Sequence, residues 1–227
     1  MDKYQENIVP ASGQNTANVF VYGNEKSKIK ILFAGNSITK HMPRPEIGWY
    51  KDCGMAASSA EHDYVHLIVD KIKEKYDPAV SFCIAQVAEY EVSFFESTPE
   101  RDYKLAKDFG ADVVFMFYGA NVPGAYDGME DPPKTFEKAY EDMRNYLASP
   151  DSAVYHSMGF YKRPVLEKEK IAVSEKYGDT YIDISHIRDL DESHGDFNHP
   201  SDLGMQMLAD TFFAAMEEDI KRICEER

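Results

Sequence analysis

Cysteine is scarce in this chain. Cys53, Cys83 and Cys224 are odd in number and far apart, with no CxxC pair and no Cys/His spacing of a zinc site. A disulfide scaffold is therefore not expected, and a reducing compartment is the simpler reading. Long apolar runs are missing too. Val113 to Tyr118 is among the longest, and it is far too short to span a bilayer. The first twenty residues are polar and have no apolar signal core. These absences lead to the expectation of a cytoplasmic protein. No basic run stands out, and 25 Lys and Arg against 40 Asp and Glu leave a net charge of −15. Such a chain is a poor ligand for phosphate backbones or anionic membranes, so neither nucleic acid nor membrane is expected as a partner. No internal repeat, low-complexity tract or dividing linker is visible.

What remains is ordinary globular material. Hydrophobic residues make up 43% and charged residues 29% of 227, enough for a sizeable core. One domain over 29–227 is expected, preceded by an extension over 1–28 that can carry one extra strand at Val19–Tyr22.

Short apolar runs alternate with amphipathic stretches. Ile29–Ala34, Ala79–Ile84, Ala111–Tyr118, Ala153–Phe160 and Thr180–Ile184 read as strands. Ser58 or Ser59 is expected to cap a helix running to about Tyr76, with Tyr64, Val65, Ile68, Val69 and Ile72 at helical spacing and Asp77-Pro78 as its stop. Pro132-Pro133 opens a helix to about Ala148. Leu166–Tyr177 reads as a helix, and Ser201 or Asp202 caps a last one to about Cys224. Gln86–Arg101 fits neither period well. Strand–helix alternation with continuous apolar strands predicts an α/β fold, a parallel sheet covered on both faces. In such sheets the active site lies at the carboxyl ends of the strands.

Three loops at those ends carry suggestive chemistry. Gly35-Asn36-Ser37-Ile38-Thr39 places a serine directly after a strand, at an expected helix start. Asp196-Phe197-Asn198-His199-Pro200 spaces a carboxylate and an imidazole three residues apart, so one turn can bring Asp onto His Nδ1 and leave Nε2 as a base. Gly119-Ala120-Asn121-Val122-Pro123 offers an amide that can donate to an oxyanion. Each signal alone has a bland counterpart: a cap, a solvated His, a turn Asn. Gly54, in Asp52-Cys53-Gly54-Met55-Ala56, is a turn glycine or a close backbone donor.

Taken in order, Gly35-Asn36-Ser37-Ile38, Gly54, Gly119-Ala120-Asn121-Val122 and Asp196-Phe197-Asn198-His199-Pro200 resemble the four blocks of the SGNH, or GDSL-type, hydrolase family. The run from Asn36 to Ser58 looks like a bacterial branch with a GNSIT-type first block, a neighbourhood that includes carbohydrate esterases. The resemblance spans about Ile29 to Cys224. It implies a three-layer α/β/α sandwich of flavodoxin-like type, with a central parallel sheet of about five strands. It also implies hydrolysis of carboxylic esters without a cofactor, deacetylation of a carbohydrate among them. By position Ser37 is the implied nucleophile, His199 the base and Asp196 the residue that orients it. Ser37 N–H, Gly54 N–H and Asn121 Nδ2 are the implied oxyanion hole. Two positions depart from the family pattern: Asn36 and Val122 each stand where Asp is usual.

Other residues carry weaker readings. Trp49 and Tyr50 can form an aromatic wall for a sugar or acyl chain, or pack in a core or rim. His41 and Arg44 can line an entrance. His62 and His66 lie one turn apart without a third metal ligand nearby, and His194 near His199 invites a similar metal guess. Glu89 and Glu91 resemble an acid pair for glycosidic chemistry. The implied partner is a small-molecule or carbohydrate ester, and a homo-oligomer is compatible with the sequence. Two rival readings are an inactive ligand-binding protein on the same fold and a flavin or nucleotide binder, the latter lacking a Walker pattern.

Overall fold

The structure, a computed structural model, describes residues 18–23 and 25–227. Six strands, β1 (Val19–Tyr22), β2 (Lys30–Gly35), β3 (Ser81–Gln86), β4 (Val113–Phe117), β5 (Ala153–Ser157) and β6 (Thr180–Ile182), form one sheet in the order β1-β3-β2-β4-β5-β6. The five strands from β2 onward pair in parallel, and β1 joins the edge antiparallel to β3. The extra strand at Val19–Tyr22 is thus part of the same sheet; the rest of the extension up to residue 17 lies outside the described residues. Counted among the parallel strands alone, the order is second, first, third, fourth, fifth. That is the flavodoxin-like order, and its switch point lies between β2 and β4.

The strands form where their side chains can be buried on both faces. β4 is buried along its whole length, and β2 from Ile31 onward. Alternate residues feed two separate clusters. Ile31, Phe33, Phe115 and Phe117 meet helices α1 (Tyr64–Lys75) and α8 (Asp202–Glu226) on one face. Leu32, Ala34, Val114 and Met116 meet the other face, covered by α2 (Ala88–Ser93), α4 (Lys104–Phe109), α5 (Phe136–Leu147) and α6 (Pro164–Tyr177). Two one-turn helices, α3 (Pro99–Asp102) and α7 (Ser185–Arg188), complete the set. Each fully buried Leu, Ile or Phe contributes about 1.5–3 kcal/mol, so the two clusters supply the main driving force for the layering. No helix among the described residues is long and apolar enough to cross a membrane.

Local signals misplace some boundaries. The cap of α1 is Asp63, whose carboxylate accepts from His66 N–H, whereas Ser58 and Ser59 hydrogen-bond His62 instead. The stretch 60–62 forms only a single tight turn. Helix α5 starts at Phe136 behind Thr135, not at Pro132, and Thr135 Oγ1 accepts from Lys138 N–H. Both corrections follow one rule: a side chain that satisfies an orphan N–H sets the start. The segment 86–101, ambiguous in sequence, resolves into α2 and α3. Ser201 caps α8 as expected.

Candidate active site

Ser37 follows β2 by two residues. Gly35 ends the strand in a place where a side chain has no room: a Cβ there would lie 1.7 Å from Thr39 Oγ1 and 3.2 Å from the Phe117 carbonyl of the neighbouring strand. The chain then folds into a single turn, with Thr39 and Lys40 N–H donating to Asn36 O at 2.9 and 3.0 Å. No helix follows Ser37, contrary to expectation, so no helix dipole acts there. The turn leaves Ser37 half-buried, and among the described residues its N–H has no acceptor.

His199 arrives from the loop before α8. Phe197 and Asn198 both take left-handed φ values of 58°, each costing roughly 1 kcal/mol or more for a side-chain-bearing residue. Gly195 N–H donates to His199 O at 2.6 Å and Ser201 N–H to Ser193 O at 2.7 Å, closing the loop. The result brings His199 Nε2 to 2.7 Å from Ser37 Oγ. On the other side of the ring, Nδ1 lies 2.8 Å from Phe197 O and 3.3 Å from the Tyr161 hydroxyl. A carbonyl only accepts, so Nδ1 carries the proton and Nε2 presents its lone pair to the serine. Burial lowers the His199 pKa from its ordinary 6.5; the Phe197 carbonyl opposes this, and nearby His41 adds to it. The imidazole is therefore neutral at pH 7.

Asp196 does not take the orienting position. Its main-chain carbonyl accepts from His199 N–H at 3.1 Å, but Nδ1 is occupied by Phe197 O, and the Asp196 side chain is exposed. The two left-handed residues between Asp196 and His199 turn a peptide carbonyl, not the carboxylate, toward the ring.

Gly54 also departs from the expected role. Its N–H donates to the buried Asp63 Oδ2 at 3.0 Å, and the same carboxylate accepts from His66 N–H and Nδ1 at 2.9 and 2.8 Å. Glycine is needed here because a Cβ would lie 2.5 Å from Ile38 O. It lets two loops approach, and its donor is already engaged.

Asn121 stands beyond β4, across the switch point from Ser37. Its Nδ2 donates to Glu91 Oε2 at 2.5 Å. Glu91 is 0% exposed; its Oε1 accepts from Gly119 N–H and, at 3.1 Å, from Asn36 Nδ2. Burial raises the Glu91 pKa, while these donors and the Asn121 N–H pull it back. All the groups facing it are N–H donors, which suits the ionised carboxylate. The glycosidic pairing of Glu89 with Glu91 is not formed: Glu89 is exposed and accepts from Asn18 Nδ2 at 3.3 Å. The sequence marks Glu91 as one acidic residue among forty, and no local pattern separates it from the others.

The aromatic wall is likewise rearranged. Trp49 is 4% exposed, donates from Nε1 to His41 O at 3.1 Å, and meets the Phe197 ring edge-on at 6.3 Å. Buried in this way, it braces the His199 loop and presents no face to a sugar. Tyr50 is 71% exposed and stands free of the core. His62 and His66 turn to different partners, and His194 Nε2 donates to Arg188 O at 2.8 Å while its ring packs on Phe160. Among the described residues, no group of three or more His, Cys, Asp or Glu could hold a metal ion. The three cysteines are buried and unpaired.

The fold is that of the GDSL-type hydrolases. It matches a protein described as a GDSL-like lipase from Bacteroides ovatus with a TM-score of 0.52 and 13% identity, over 84% of this chain and 98% of that one. A family two carbohydrate esterase from Clostridium thermocellum, solved as an active-site mutant, gives a TM-score of 0.56 at 13% identity over 87% of this chain. One from Cellvibrio japonicus gives 0.54 at 13% over 88%. The chain covers 65% and 64% of those two esterases, less than two thirds of their length. No protein-family model and no curated protein matches the sequence.

Proposed function

We propose that this chain is a serine ester hydrolase working through an acyl-enzyme. The observation that carries the reading is the 2.7 Å contact of Ser37 Oγ with a His199 Nε2 whose tautomer makes it an acceptor, at the switch point of the sheet. In the cycle, Ser37 Oγ attacks the ester carbonyl carbon as its proton passes to His199 Nε2. The carbonyl oxygen becomes an alkoxide and takes hydrogen bonds from Ser37 N–H and Asn121 Nδ2. An amide has two protons: Glu91 takes one, and the other remains for the alkoxide. The intermediate collapses, the C–O bond to the alcohol breaks, and His199 returns its proton to the departing oxygen. Water then repeats the sequence on the acyl-serine, freeing the acid. Phe197 O and the Tyr161 oxygen stabilise the imidazolium that forms in between.

The substrate we favour is a small acyl group on a carbohydrate. It rests on the GNSIT-type block around Ser37 and on the shared fold of the two carbohydrate esterases. Cytoplasmic location and a small-molecule partner, with neither nucleic acid nor membrane, belong to the same reading. Hydrolysis of p-nitrophenyl esters of graded chain length, beside Ser37→Ala, tests it. Turnover is expected for the shortest esters and lost in the variant. No turnover on any ester would favour a ligand-binding protein on this fold.

A further inference from the structure

Asn121 can serve as a donor only if its amide is the right way round, because oxygen and nitrogen exchange places on a half-turn about the last side-chain bond. Something must choose between the two orientations. Among the described residues, Glu91 is the only charged group hydrogen-bonded to that amide, at 2.5 Å. Its location follows from the sheet order. Chain leaving β3 donates from Val87 N–H to Gly35 O at 2.7 Å, which sets α2 beside the end of β2. The same carboxylate then reaches Asn36, next to Ser37, and Gly119, two residues before Asn121. One buried carboxylate thus joins the serine loop to the amide loop.

We propose that Glu91 is a positioning residue: by accepting from Asn121 Nδ2, Asn36 Nδ2 and Gly119 N–H, it holds the Asn121 amide with nitrogen toward Ser37 and locks the two loops in register. This rests on the esterase reading for its catalytic consequence, though the hydrogen bonds themselves do not. The inference also accounts for Asn36 where the family pattern has Asp: an amide is a donor to Glu91, and a second carboxylate would repel it.

Glu91→Gln separates orientation from volume. Gly119 N–H belongs to the backbone and cannot turn, so the glutamine oxygen must face it and the glutamine nitrogen must face Asn121. Asn121 then relieves the donor–donor clash by flipping, which removes its nitrogen from the alkoxide. With p-nitrophenyl acetate, E91Q is expected to lose about a hundredfold in kcat with KM little changed, close to the loss in Asn121→Ala. The double variant should fall within about threefold of N121A alone, because both remove one donor. Wild-type turnover in folded E91Q, or losses that multiply in the double variant, would overturn the proposal. Should E91Q not fold, the wild-type protein decides. One Asn121 side-chain amide proton, assigned by its absence in N121A, should be shifted downfield and exchange slowly in NMR spectra; two equal, rapidly exchanging protons would sink the idea. Hydrolysis surviving Ser37→Ala would refute the esterase reading and leave this amide measurement standing.

Discussion

Ser37 Oγ and His199 Nε2 stand 2.7 Å apart, although 162 residues separate them along the chain. The contact needs two constrained loops, one pinned by the close packing at Gly35 and the other by two left-handed residues. Replacing Ser37 by Ala should leave the circular dichroism spectrum unchanged and reduce kcat at least about 10³-fold, since the nucleophile has no substitute. Comparable turnover in S37A would remove the serine from the chemistry.

Asp196 leads to the opposite expectation. In triads that depend on a carboxylate, its loss costs about 10⁴ in kcat. Here Phe197 O holds the imidazole proton at 2.8 Å. Asp196→Asn should therefore keep kcat within several-fold of wild type. A drop of a thousandfold would show that the carboxylate swings onto the ring during turnover.

The acidity of His199 sets the pH profile. Burial lowers its pKa below 6.5, and the neutral ring is the active form. Activity is lost as pH falls through that lowered value and is complete by pH 7. The acid limb of kcat/KM, which reports the free enzyme, should have its midpoint below 6.5. A midpoint above 6.5 would contradict the buried, neutral imidazole.

Asn36→Asp tests the buried acceptor from the other side. Asn36 Nδ2 now donates to Glu91 Oε1 at 3.1 Å; a carboxylate there would face another carboxylate with no water between them. Leaving a buried carboxylate without its donor costs about 1–3 kcal/mol or more, or several degrees in Tm for a chain of this size. The pair would hold a shared proton at raised pKa, so the folded state binds more protons than the unfolded one. Stability is then lost as pH rises through that value, and the deficit should be larger at pH 8 than at pH 5. Equal deficits in thermal melts at the two pH values would argue against the contact.

The parallel strands and the loops that carry Ser37, Asn121 and His199 were legible in the amino-acid sequence. Buried parallel strands must be apolar on both faces, and such runs stand out without any knowledge of the fold. The partners of those residues were not legible. Whether Asp196 or Phe197 faces Nδ1 depends on φ at two residues between them, which spacing alone does not reveal. Whether Gly54 keeps its N–H free depends on Asp63 folding back from the start of α1. Glu91 reaches the site only because β3 lies beside β2 and delivers α2 to the end of the switch point. Residue type and spacing therefore determined which side chains could do chemistry. Hydrogen-bond partnership, a matter of tenths of an ångström between segments distant in the chain, was decided by the tertiary structure alone.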